Sequence, residues 1–238
     1  MSIKVDKLTK QYGTQKALHE VSFEIGDNRI VGFLGPNGAG KSTTMKILAG
    51  LLPPTSGQAF VQNLNVQQQS LAVKKLLGFL PENNPLYSDM YVREILLFEA
   101  NTHKLKEKKG RVEEVIGQTG LQAEQHKKVS QLSKGYKQRV GLALCIIHQP
   151  RVLILDEPTS GLDPNQILEI RALIKELGKE RTVLVSTHIM QEVEAICDEV
   201  IILNKGVLQD HFTLQDMPVK YPGKSLEDIF VSLTNGAV

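Results

Sequence analysis

The sequence predicts an α/β fold: a parallel-sheet core, antiparallel strands ahead of it, and a helical subdomain inserted within it. Three observations carry this reading. The apolar runs RIVGFLG, RVLILDE, TVLVSTH and EVIILNKG are short, continuous and stop at turn residues or charge, as strands buried on both faces do. IKVDKLTKQYG and ALHEVSFEIG instead alternate before stopping at glycine, the mark of antiparallel strands with one wet face. Between about Leu86 and Gln149 the alternation gives way to helical spacing.

Taken in order, the opening alternating runs give way to the buried strand RIVGFLG and then to KSTTMKILAGLL. In that segment Met45, Leu48, Leu51 and Leu52 fit one helical face, and PPTSG breaks it. YVREILLFEANTHKL, RVEEVIGQTGL and KGYKQRVGLALCIIH supply the helices of the insertion, and HKLKEKKGR is a solvated charge run. After Pro150 the α/β pattern resumes with RVLILDE. DPNQILEIRALIKELG has Asp163 as N-cap, Pro164 at the first helical position and Gly178 near its end, with Ile167, Ile170, Ile174 and Leu177 as its inner stripe. SLEDIFVSLT closes the chain as a short amphipathic helix. The expected layout is one domain over 1–210, with the helical subdomain at about 86–149, and a tail over 211–238.

Composition narrows the function classes. A net charge of +2 gives no strong field toward nucleic acid, and with 5% aromatics and no Trp a base-stacking platform is not expected. Cys145 and Cys197 sit in apolar runs without a C-x-x-C pair, so free buried thiols are expected. No apolar run approaches the ~18 residues of a membrane span, and the amino end lacks the apolar stretch of a signal peptide. A cytoplasmic location is therefore expected, with any membrane role exercised through a partner.

GPNGAGKST, Gly35 to Thr43, matches G-x-x-x-x-G-K-[ST] in full, after an apolar strand and before a helix. Glycines let the backbone fold into a nest of N–H groups around phosphate oxygens, and the helix N-terminus adds partial positive charge. Gly35, Asn37, Gly38, Ala39, Gly40, Lys41, Ser42 and Thr43 are thus candidate nucleotide ligands. Lys41 is expected at the β- and γ-phosphates and Ser42 on Mg²⁺. VLILDE adds Asp156 as a metal ligand, direct or through water, and Glu157 as a general base for the attacking water. His188, after another strand of the same parallel set, should finish on the same sheet edge.

Tyr12 in QYG, GPNGAGKST, LSKGYKQR, LILDEPTSGLD and STH occur in that order. Together they resemble an ATP-binding cassette (ABC) ATPase, the nucleotide-binding subunit of ABC transporters, over nearly the whole chain. The resemblance implies a P-loop NTPase core that hydrolyses ATP to ADP and phosphate, with ATP and Mg²⁺ as cofactors. It implies two cassettes head to tail around two ATP molecules, expected here as a homodimer. It further implies a separate transmembrane permease, and so a subunit peripheral on the inner face of the cell membrane. Residue by residue, Tyr12 matches the aromatic that stacks on adenine. Ser133 and Gly135 match the signature that contacts the γ-phosphate held by the other subunit. Asp163 matches the loop that faces across the dimer, and Glu157 and His188 match the catalytic glutamate and switch histidine.

Two positions depart from the family pattern. The signature reads L-S-K-G-Y in place of L-S-G-G-Q, which keeps Ser133 and Gly135 but introduces Lys134 and Tyr136. The glutamine that usually links the metal site to the helical subdomain is replaced by Glu82. The segment after it, with Leu86, Tyr87, Met90 and Tyr91, is where the family receives a short helix of the membrane subunit. The chain is also similar to exporter-type subunits, including those associated with bacterial gliding motility, so export is the expected direction. The competing reading is a soluble ABC ATPase that serves assembly or scaffold work without transport.

Overall fold

The structure is a computed structural model, and it describes residues 1–235. Two sheets carry the fold. The first is antiparallel, in the order β2-β1-β4-β5, from β1 (Ile3–Tyr12), β2 (Gln15–Ile25), β4 (Ser56–Val61) and β5 (Leu64–Asn65). The alternating pattern is realised in β1, whose Ile3, Val5 and Leu8 are buried while Asp6 and Lys7 are exposed.

The second sheet has the order β10-β9-β3-β8-β7-β6, from β3 (Ile30–Leu34), β6 (Leu77–Leu80), β7 (Val152–Asp156), β8 (Thr182–Ser186), β9 (Glu199–Asn204) and β10 (Val207–Thr213). β9, β3, β8, β7 and β6 run parallel, and β10 pairs antiparallel on the edge. Every residue of β3, β7 and β8 is buried, which is why these strands read as unbroken apolar runs. The helices are α1 (Lys41–Leu48), α2 (Ser70–Leu76), α3 (Val92–Thr102), α4 (Lys108–Thr119), α5 (Lys134–Ile146), α6 (Pro164–Gly178), α7 (Met190–Ile196), α8 (Met217–Lys220) and α9 (Leu226–Asn235).

The sheet divides the core. One cluster packs α1 (Met45, Ile47, Leu48) between the antiparallel sheet and one face of the parallel sheet. Another joins α3, α4 and α5 to α6 on the opposite face, so the helices of the 86–149 stretch share a core with the main sheet. Among the described residues no helix is long and apolar enough to cross a membrane.

One expectation needs correction. The first helix stops at Leu48 because Gly50 adopts φ +67° and Pro53 and Pro54 follow. Leu51 is consequently 60% exposed, and Ile47 fills the buried face instead. β10 runs through residue 210 and pairs with β9 as far as Thr213. In α9, Leu226 and Ile229 are fully buried against Leu34, Val193 and Ile202.

Candidate active site

The carboxyl ends of β3, β7 and β8 lie side by side, and within two residues of each end the chain reaches a predicted site residue, Gly35, Glu157 and His188. A cavity of about 360 Å³ opens there, lined by Asn37 through Thr43, Glu82, Glu157, Ser160 and His188. Residues separated by up to 151 positions in sequence thus meet around one hollow.

The loop after β3 folds as its glycines require. Gly40 sits at φ +105°, and a Cβ there would come within 2.7 Å of the Ala17 carbonyl and 2.6 Å of Leu18. Gly35 is held by contact rather than by dihedral, since its Cβ would lie 2.5 Å from the Leu203 carbonyl. α1 begins at Lys41 without a side-chain cap, so its first N–H groups are left for an acceptor in the cavity. The Lys41 ammonium is buried and donates to the Gly35 carbonyl at 2.6 Å and the Pro36 carbonyl at 3.3 Å. Burial pulls its pKa down, while Glu157, Asp156 and Glu82 act in the opposite sense.

Asp156 is buried at the end of β7 and accepts from the Ser186 hydroxyl at 2.5 Å. Ser186 was not among the predicted site residues, although it opens the STH motif. Its Oγ and carbonyl oxygen also receive the Glu157 N–H, at 3.0 and 3.2 Å. These bonds hold Glu157 at φ +51°, a left-handed conformation that a residue with a Cβ adopts at a cost of about 1 kcal/mol or more. The Glu157 carboxylate then meets His188 Nδ1 at 2.9 Å. Burial pushes the Glu157 carboxyl up from its ordinary value, and His188 and Lys41 pull it back. Glu82 is exposed on the cavity rim, just beyond the end of β6.

The other predicted residues lie outside this lining. Tyr12 is half exposed at the tip of the β1–β2 hairpin, opposite Gln15, with the Lys10 ammonium 5.2 Å from its ring centre. Ser133 is the exposed N-cap of α5, accepting from the Tyr136 N–H at 3.4 Å. Gly135 is buried beneath Gln166 of α6, whose amide would lie 2.6 to 2.9 Å from a Cβ. Lys134 lies across Gly161. Asp163 caps α6, accepting from the Gln166 N–H at 3.0 Å. The signature turn and the SGLD segment therefore pack on each other, a contact that neither motif announces in sequence.

A second, larger cavity of about 890 Å³ lies where the helical subdomain meets β6. Leu77, Phe79, Leu86, Leu105 and Leu144 line it, and Lys74, Lys75 and Lys104 add positive charge. Tyr87 and Phe98 stand exposed nearby, edge to face at 6.0 Å, while Leu86 and Met90 pack partly into the core.

A family model described as ABC transporter matches residues 18–160. The chain is 42% identical over 208 residues to the bacitracin transport ATP-binding protein BcrA of Bacillus licheniformis, covering 87% of this chain and 68% of that protein. It is 38% identical over 217 residues to the uncharacterized ABC transporter ATP-binding protein YxlF of Bacillus subtilis, covering 90% and 72%. Among solved structures, an ATP-binding subunit of an ABC transporter superposes with a TM-score of 0.88 at 29% identity, covering 98% of this chain and 99% of that one. A dimer of the cassette MJ0796 in a post-hydrolysis state, bound to ADP and Pi, superposes at 0.81 with 25% identity, covering 89% and 98%.

Proposed function

The chain belongs to the ABC transporter family as an ATP-binding subunit, and from that premise we propose how its residues divide the work. The subunit binds ATP, hydrolyses it, dimerises, and energises a separate membrane permease. The observation that carries the residue assignment is the 2.9 Å contact of Glu157 with His188 on the wall of the phosphate-loop cavity.

The Gly35–Thr43 loop cradles the triphosphate with its N–H groups, and Lys41 leaves its carbonyl partners to pair with the β- and γ-oxygens. Tyr12 stacks on the adenine. Ser42, Asp156 and Glu82 form an all-oxygen donor set of the kind Mg²⁺ takes, with Glu82 adding a charge that a glutamine would not. When bound, that ion neutralises charge on the phosphate oxygens. Glu157 accepts a proton from the attacking water as its oxygen closes on the γ-phosphorus, in line with the departing ADP oxygen. His188 orients Glu157 and contacts the γ-phosphate. Ser133 and the N-terminal turn of α5 supply donors to the γ-phosphate held by the second copy, and Asp163 faces that copy. ATP so shared favours the closed dimer, and hydrolysis removes the differential binding.

We assign the permease's short helix to the 890 Å³ groove beside Tyr87, Met90 and Tyr91, a reading supported by the groove's apolar lining and the exposure of Tyr87 and Tyr91, and with it a position at the inner face of the cell membrane. Export is the direction we assign, supported by the likeness to exporter-type subunits and to a bacitracin transport protein.

Glu157→Gln tests the core of this reading. It should bind ATP, hydrolyse it about 100-fold or more slowly, and convert from monomer to dimer in solution on addition of ATP-Mg²⁺. A variant that hydrolyses at the normal rate would remove Glu157 from its role. Fractionation tests the location: recovery with membranes alongside a permease supports transport, and recovery only in a soluble complex supports the assembly role instead.

A further inference from the structure

Glu192 is a carboxylate that the reading above leaves without a task. It lies on α7 with 3% of its side chain exposed, and a buried charge is costly unless it is paired. Its Oε2 accepts from the Thr187 hydroxyl at 2.7 Å. Its Oε1 faces Arg171 Nη2 of α6 at 3.4 Å, longer than a charge-assisted hydrogen bond. Neither Glu192 Oε1 nor Arg171 Nε has a hydrogen-bond partner among the described residues. The pair is thus buried but incompletely made.

Its connections lead to the hydrolysis site from two directions. Thr187 immediately precedes His188, and its hydroxyl donates to Glu192 while accepting the Ile189 N–H at 3.1 Å. The backbone on both sides of His188 is therefore fixed through one hydroxyl, whose orientation Glu192 sets. Arg171 belongs to the helix that Asp163 caps, and Pro158 and Thr159, the residues after Glu157, line the same cleft. A displacement of the Asp163 segment would move Arg171 with α6, and the slack in the 3.4 Å pair lets it close or open further. Stability alone gives weak reason to retain such a pair, because replacing both partners of a buried ion pair with apolar residues of similar volume is often neutral or stabilising.

Resting on the assignment of His188 and Glu157 proposed above, we propose that Glu192, loosely paired with Arg171 and acting through Thr187, is a positioning residue that sets His188 against Glu157. It couples the Asp163 segment at the dimer face to the hydrolysis site.

The test uses the full chain, with histidine-ring ¹⁵N NMR and steady-state hydrolysis read on the same variants. Glu192→Gln and Thr187→Val preserve shape. Each should move the His188 Nδ1 resonance toward that of a solvent-exposed imidazole and lower kcat about 10-fold with KM within about twofold. Thr187→Ser, which keeps the hydroxyl, should restore both. Arg171→Met should reproduce the loss, and the Glu192→Gln/Arg171→Met double variant should be no slower than either single one, because the two act as a unit. If His188→Ala is inactive while Glu192→Gln leaves the His188 resonance and kcat unmoved and shifts only the melting temperature, Glu192 is a packing residue and the proposal falls alone. If His188→Ala hydrolyses normally, the assignment of the site falls and this proposal with it.

Discussion

The phosphate loop and the signature turn both lie at a helix N-terminus, and they are built in opposite ways. α1 follows a glycine at φ +105° and has no side-chain cap, so its first N–H groups are left without a side-chain acceptor. α5 is capped by its own Ser133 through a long 3.4 Å bond, on an exposed turn. The loop's lysine is buried, whereas the signature's Lys134 is exposed and lies across Gly161. One half-site is assembled within the chain. The other is closed only by a long internal bond on an exposed turn, which on the proposed reading a phosphate held by a second copy displaces.

Four changes would break or sharpen that contrast. Lys41→Ala strikes the assembled half and should reduce hydrolysis about 1,000-fold or more, since the ammonium acts where charge develops. ATP turnover by the purified variant near the original rate would contradict the assignment. Ser133→Arg strikes the half that waits for a partner. Placed in Glu157→Gln, it should leave ATP binding to the monomer within about threefold while preventing the ATP-induced dimer, because only the shared contact is lost. Loss of monomer binding instead would show the two halves are not separable, and light scattering with a nucleotide titration reads both.

The third change is protonation. On the proposed reading Glu157 must be ionised to accept a proton, so the rate should rise with pH through its pKa and fall about tenfold per unit below it. Burial raises that pKa, placing the acid limb above the ordinary glutamate range. His188 lowers it, so His188→Ala should slow the enzyme and also move the limb upward. A limb that stays in place would separate His188 from the carboxylate's electrostatics. The smallest effect expected is that of Asp163→Ala, which removes the N-cap bond to Gln166. It should cost about 1 kcal/mol, or roughly 2–4 °C in Tm for a chain of this size.

Much of the assembled half was legible in the sequence because its residues are contiguous and its dihedrals demand particular types. Gly40 must be glycine, and Lys41, Ser42 and Thr43 follow it in one turn. The strands that deliver Asp156 and His188 were readable from their apolar runs, but their order was not. That β3 lies between β9 and β8 is a consequence of crossovers, which leave no local mark. Contacts between distant side chains were equally silent. Ser186 reaches Asp156 across 30 positions, and Gln166 covers Gly135 across two helices. Leu51 was misread because periodicity continues past a helix end that Gly50 and the following prolines impose.

The left-handed backbone of Glu157 has a consequence for how such a chain can vary. The same bonds to Ser186 that aim the carboxylate keep it in a conformation that glycine would adopt without penalty. On the role proposed for Glu157, drift toward a more stable fold at this position would therefore run toward glycine and away from catalysis. A glutamate that persists there is retained against the local preference of its own backbone, so a copy of this gene released from the need to turn over ATP should surrender this side chain early.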